Sequence, residues 1–198
     1  MGWFDAPVVM GRLTTLEPLA PEMAPELAEA VAEGELYRIP YVKLPAPDEM
    51  AAEIDSRLAR QAAGTMAPWA IRRNSDGRLV GMTGYVNLLP AHRRLTIGAT
   101  WVAVSAHNTG INQESKLLLM ERAFETLDCI AVEFRANAVN ERSRRAYLAL
   151  GATQDGILRS HELLPDGTVK DTVFYSVTAA EWPDVKAALA AKLATKTG

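Results

Sequence analysis

Asn140-Glu141-Arg142-Ser143-Arg144-Arg145-Ala146-Tyr147-Leu148-Ala149-Leu150-Gly151-Ala152 is the stretch on which the reading of this chain turns. Asn140 has the short polar side chain that caps a helix N-terminus, and Gly151 supplies the positive φ that closes one. Between them Asn140, Ser143 and Tyr147 stand at i, i+3 and i+7 and share one face. A helix lying on a sheet ordinarily turns apolar residues inward along such a stripe. One amide and two hydroxyls there point to a lined cleft. A plainer alternative stands beside it, in which Asn140 only caps, Ser143 is solvated and Tyr147 packs its ring. The arginines at 142, 144 and 145 read first as a solvated helix face.

Immediately upstream, Ile130–Ala136 reads as a strand, and Gln113–Leu127 as a helix with Leu117, Met120, Phe124 and Leu127 on one face, widened by Leu118 and Leu119. That helix is entered from Leu95–Val104, a Thr-rich, β-branched strand, through the polar loop Ser105-Ala106-His107-Asn108-Thr109-Gly110. A first helical turn carries unpaired N–H groups and the positive end of the helix dipole, so such a junction suits an anion, and a pyrophosphate is the natural guest. Gly110 would let the backbone come close to it. Taken alone, the junction reads first as an ordinary strand-to-helix turn.

Further out, Trp69–Arg73 and Arg78–Val86 are strands joined by Asn74-Ser75-Asp76-Gly77, whose Asp-Gly pair tolerates the positive φ of a hairpin turn. Arg12–Leu19 reads as a strand, and Pro21–Glu33 and the stretch capped by Asp48 read as helices. Between those helices Pro40–Pro47 is a loop. Ala152–Leu164 and Lys170–Thr178 form a last strand pair around Pro165-Asp166-Gly167, and a final helix carries Trp182, Val185, Leu189 and Leu193 on one stripe. The order αα, βββ, α, β, α, ββ, α is that of a mixed sheet of about seven strands with helices on both faces. We expect one domain over residues 1–198, with a short tail at 1–10 and a C-terminal helix at about 180–195.

The bulk properties narrow the function. The 198 residues are 48% apolar and 23% charged with a net charge of −3, so global disorder and a generally basic, nucleic-acid-binding surface are not expected. A lone cysteine, Cys129, allows no internal disulfide and no cysteine-based zinc site, and reads as a small buried hydrophobe. His92, His107 and His161 lack ligand spacing, so no metal is expected. The first residues lack a signal-peptide pattern, and no run reaches the roughly 18 apolar residues of a membrane span. A cytoplasmic setting without membrane contact fits. Walker, dinucleotide-binding, nucleophile-elbow and zincin motifs are absent.

The two marked segments together resemble the GNAT superfamily of acetyl-CoA-dependent N-acetyltransferases. Its pyrophosphate pattern, Gln/Arg-x-x-Gly-x-Gly/Ala, here reads His107-Asn108-Thr109-Gly110-Ile111-Asn112, with both end positions altered. Its second pattern is similar to Asn140, Ser143, Tyr147, Gly151 and Ala152. Arg12–Leu19, Asn140–Ser143, Gly151-Ala152-Thr153 and Asp171–Ser176 further resemble the branch of the ribosomal-protein alanine acetyltransferases, the Rim type.

The resemblance implies transfer of an acetyl group from acetyl-CoA to a primary amine, on a protein N-terminus or a small molecule, by direct attack in a ternary complex. It places pantetheine between the strand ending near Trp101–Val104 and the strand ending at Ala136–Asn137, paired with backbone groups of Val102 and Val104 and with Asn140. Phosphates would lie on N–H groups of Asn108, Thr109, Gly110, Ile111 and Asn112, with Arg142 on the 3′-phosphate. The Ala103 amide would face the developing oxyanion. Ser143 would face the thiol and Tyr147 would protonate it, a phenol of pKa about 10 being near a thiol of about 8.5. For the base, Thr96 stands where relatives often carry Glu, which leaves Glu133, His92 or a bridging water. A homodimer is the state the superfamily implies. The alternatives are an acyl-CoA-binding module without catalysis and, against the acidic net charge, an RNA-associated factor.

Overall fold

The Asn74–Gly77 turn forms as its chemistry dictates: Gly77 takes φ +72°, and the Asp76 carboxylate accepts from the Arg78 amide and the Arg73 guanidinium. It joins β3 (Met66–Arg73) to β4 (Leu79–Leu89), the centre of the sheet. The computed structural model describes residues 2–39, 44–164 and 167–196. Residues 40–43 of the expected Pro40–Pro47 loop and Pro165-Asp166 of the last turn lie outside these.

Ahead of β3 come β1 (Val9–Met10), β2 (Thr14–Pro18), α1 (Ala24–Ala32) and α2 (Met50–Ala62). After β4 follow β5 (Arg94–Val102), α3 (Ile111–Glu121), β6 (Ala131–Asn137), α4 (Glu141–Ala149), β7 (Thr153–Leu163), β8 (Val169–Thr178) and α5 (Trp182–Ala194). The sheet order is β1-β2-β3-β4-β5-β6-β8-β7, with every pair antiparallel except β5–β6. The sheet thus has eight strands where about seven were expected. The extra one is β1, inside the segment read as a tail. That segment is tied down by carbonyls: Gly2 and Asp5 accept from Arg122, and Pro7 accepts from the Trp69 indole.

Helices α1 and α2 pack on each other and on β4 and β3, whereas α3 and α5 pack together and on β2, β5 and β8. Trp69, Tyr85, Phe134 and Tyr175 are wholly buried in the core between them. The helix expected to run to Leu127 opens into a π turn at Arg122–Thr126. Arg122 opens that turn, buried with its guanidinium against the Trp69 and Tyr85 rings and bonded to the N-terminal carbonyls.

Candidate active site

The site begins where two strands part. β5 and β6 pair over only three positions, Arg94↔Ala131 to Thr96↔Glu133, yet β5 continues to Val102 and β6 to Asn137. Beyond Thr96 a bulge interrupts β5: Gly98 pairs with Gly84 and Trp101 with Met82, so Thr83 alone faces both Ala99 and Thr100. Ala99 takes φ +50°, and its carbonyl accepts from Arg57 of α2 at 2.9 Å, with Arg57 itself held by Glu53. The Ala103 amide donates to Val80 at 2.7 Å. By the period of two along a strand, Trp101 and Ala103 turn their backbone groups to β4, and Val102 turns its own to the opening. The Val102 carbonyl is met there by His107 Nε2 at 3.2 Å.

Into this opening faces a cleft of about 170 Å³, lined by Leu36, Ile39 and Leu44 on one side, by Thr100, Trp101 and Val102 on β5, and by His107, Asn112, Asn140, Arg142 and Ser143. Gly110 caps α3 at φ +100°. Thr109 Oγ1 accepts the Ile111 amide and Glu114 N–H bonds to Gly110. The geometry of a first turn leaves the Asn112 and Gln113 amides without an intrahelical acceptor. Asn112 Oδ1 is buried without a partner among the described residues. Burial, and then the Arg142 charge, lower the His107 pKa, so the ring is neutral near pH 7.

The α4 cap forms as read: Asn140 Oδ1 accepts the Ser143 amide at 3.1 Å, which leaves the Asn140 amide nitrogen for the cleft. The arginine cluster divides. Arg144 bonds the Ala138 carbonyl and the Tyr175 hydroxyl, and Arg145 pairs with Glu141 at the surface. Arg142 alone of the three lines the cleft.

Other expected site residues lie differently. Val104 is not in a strand, because the chain turns at Val104–Ala106 and the Val104 carbonyl accepts the His107 amide. Ala103 has spent its amide on Val80 and has none for an oxyanion. Ile111 points into the core, Asn108 is exposed at φ +63°, and Asn137 closes the turn to α4 by accepting from Val139 and Asn140. Glu133 is buried, and its carboxylate is shared by Arg94, Arg135 at 3.2 Å and Thr96 at 3.3 Å, so most of its lone pairs are already engaged. His92 sits exposed in the β4–β5 turn, at the opposite end of β5 from the opening. The Tyr147 ring stacks on Phe134 and tilts against Tyr175, its hydroxyl donates to the Arg135 carbonyl at 3.3 Å, and burial pushes its pKa up to about 12.

Two residues near the cleft, Thr100 and Lys116, went unseen in the sequence, and Trp101 was marked there only as part of the strand end beside pantetheine. Trp101 lines the cleft with its indole nitrogen buried and unpartnered among the described residues. Thr100 and Lys116 meet beneath the bulge, with Lys116 Nζ 2.5 Å from Thr100 Oγ1.

A mixed sheet that splays beside a bulge, with a helix N-terminus and a capped second helix at the opening, is the architecture of a GNAT-type acetyltransferase. The Acetyltransferase (GNAT) domain family matches residues 13–153, and the chain belongs to that family. A GCN5-related N-acetyltransferase from Brucella melitensis has the same fold, with TM-score 0.87 and 26% identity over 96% of this chain and 86% of that one. Mycobacterium smegmatis RimJ, solved in complex with CoA-disulfide, shares the fold at TM-score 0.79 and 22% identity, covering 94% of this chain and 95% of that one. The N-acetyltransferase YoaA of Bacillus subtilis (strain 168), itself uncharacterized, is 29% identical over 109 residues, which span 55% of this chain and 60% of that relative.

Proposed function

We propose that the protein transfers the acetyl group of acetyl-CoA to a primary amine by direct attack in a ternary complex. The observation that carries this reading is the parting of β5 from β6 at Thr96, which leaves an unpaired strand edge facing a cleft with Asn140, Ser143 and Arg142 on its far wall. An extended pantetheine can add to that edge as a strand would, through the backbone of Val102. The Asn140 amide nitrogen fixes the arm from across the cleft. The Asn112 and Gln113 amides and Arg142 supply positive potential for phosphates. The Val102 N–H replaces that of Ala103 as the strand donor able to meet a developing oxyanion. Tyr147 keeps its proton through neutral pH and serves as acid to the thiolate, a step that requires its hydroxyl to leave the Arg135 carbonyl. Leu36, Ile39, Leu44 and Trp101 form the apolar wall on the acceptor side, matched to an amine on an apolar or peptide-like body.

A second reading, binding of an acyl-CoA without turnover, is favoured by the locked Glu133. One assay separates the two: thiol release from acetyl-CoA with a panel of primary alkylamines and Ala- and Ser-initiated peptides, alongside CoA affinity. Turnover on any amine supports the transferase. CoA binding without turnover supports the module, and no CoA binding overturns both.

A further inference from the structure

Lys116 lies on α3, 3% exposed, and crosses to the sheet directly under the β5 bulge. Its Nζ reaches Thr100 Oγ1 at 2.5 Å and Thr83 Oγ1 at 3.3 Å, and the two hydroxyls are 2.8 Å apart. Among the described residues no carboxylate joins this cluster. Glu114 on the same helix holds the Arg12–Thr14 amides, and Glu121 pairs with Lys186 of α5. On the strands packed against α3, Glu17 of β2 pairs with Arg72 and Arg94 of β5 pairs with Glu133, while Tyr85 of β4 donates its hydroxyl to Leu119. A buried ammonium ion with only hydroxyl partners is costly, and the inexpensive state is the neutral amine, whose lone pair accepts a proton.

The outlet of this cluster is Thr100, because the same residue that contacts Nζ lines the cleft beside Trp101 and Val102. The proposed reaction needs a proton acceptor there, since an aliphatic amine arrives as the ammonium ion. We infer that Lys116 is that acceptor, drawing the proton of the incoming ammonium through the Thr100 hydroxyl. The inference rests on the transferase reading and names its base. The ammonium N–H bond breaks toward Thr100 Oγ1 as the Thr100 O–H proton passes to Nζ, and the amine keeps the electron pair. That pair forms the N–C bond to the acetyl carbon while the C–S bond breaks. Tyr147 gives its proton to the thiolate, the second N–H proton restores the phenol, and Lys116 returns its proton to solvent through Thr100 once the products depart. Charge and atoms then balance with no further reactant.

The test is the pH profile of kcat/KM for acetyl transfer to an amine that the panel identifies, compared among wild type, Lys116→Met, Lys116→Arg and Thr100→Val. The expected result is an acid limb near pH 7 in the wild type, where burial holds the amine at about 7. At neutral pH we expect a loss of about 100-fold or more in the three variants, with the limb displaced, and CoA affinity within threefold of wild type. Lys116→Arg keeps a positive charge but cannot accept a proton at these pH values, and Thr100→Val severs the outlet while keeping the lysine, so a fold defect in one variant leaves the others to decide. An unshifted limb with kcat/KM within threefold in Thr100→Val and either lysine variant overturns the inference and leaves the transferase standing. CoA binding with no turnover of any amine by the wild type overturns both.

Discussion

Glu114 is the residue whose removal this fold should tolerate least. It stands in the first turn of α3, 6% exposed, and reaches to β2: Oε1 accepts the Arg12 amide at 3.1 Å, and Oε2 accepts those of Leu13 at 2.7 Å and Thr14 at 2.8 Å. In Glu114→Ala all three donors lose their acceptor. Those of Leu13 and Thr14 are buried, and at about 2 kcal/mol each they lose about 4 kcal/mol; relief of the carboxylate's own burial leaves a net loss of about 3 kcal/mol. For a chain of this size that lowers Tm by about 6–12 °C. Glu114→Gln is no rescue, because one of its two terminal atoms is a donor facing donors. Urea and thermal denaturation of both variants, with CoA affinity measured on the folded protein, check this. A loss below about 1 kcal/mol in Glu114→Ala would refute the view that this carboxylate pins α3 to the sheet.

Gly110→Ala combines φ +100° with a Cβ 2.9 Å from Leu13 Cδ1, and we expect about 1–3 kcal/mol of destabilisation with weaker CoA binding, read by melting and calorimetry. Arg142→Ala should weaken CoA binding about tenfold at low salt and flatten its salt dependence, whereas Arg145→Ala, which removes only the surface pair with Glu141, should change neither. Lys116 gives stability a pH signature. The unfolded lysine keeps its proton up to about 10.5 and the folded one loses it near 7, so between these values the unfolded state binds more protons and raising the pH stabilises the fold. Wild type minus Lys116→Met should therefore gain up to about 1.4 kcal/mol per pH unit across that window in urea titrations, and a flat difference would contradict it. Arg57→Met, which frees the Ala99 carbonyl, should lower kcat several-fold with a smaller change in KM for acetyl-CoA, measured by steady-state thiol release.

What the sequence made legible was local. The Asn140–Ser143 cap and the Asp76-Gly77 turn depend on neighbours a few residues away, and both form as read. The boundaries and amides near the end of β5 were misplaced by one or two residues, because the Ala103–Val80 bond is set by a strand more than twenty residues earlier. The partners of Glu133 were only half legible: Arg135 lies two residues on along its own strand, whereas Arg94 comes from β5 by the sheet pairing. Lys116 was hidden by periodicity. The apolar stripe of the helix counts Leu117 inward, yet Leu117 is half-buried while Glu114, Ser115 and Lys116 are all buried. Each is satisfied at a distance that hydropathy does not measure: Glu114 by three amides, Ser115 by the Ile111 carbonyl, Lys116 by two hydroxyls. The run of five polar residues, Asn112–Lys116, ahead of the apolar Leu117–Met120 was the signal available.

The bulge at Ala99 ties these pieces together. A non-glycine residue at φ +50° costs on the order of 1 kcal/mol and persists only where its surroundings hold it. Here the restraint comes from both sides of the sheet: Arg57 of α2 binds the Ala99 carbonyl, and Lys116 of α3 binds the neighbouring Thr100 hydroxyl. The extra residue does two things at once. It ends the register that a β5–β6 ladder would need to continue, so the strands part and leave an edge for an extended ligand. It also places Thr100 on the lining of the cleft with its hydroxyl against the buried amine. For a chain of net charge −3 to hold a polyanion, as proposed, positive potential has to be gathered locally at that opening. The placement of Arg142, the α3 first turn and the neutral His107 fits this, since a charged His107 beside Arg142 would be disfavoured by burial and by like charge alike.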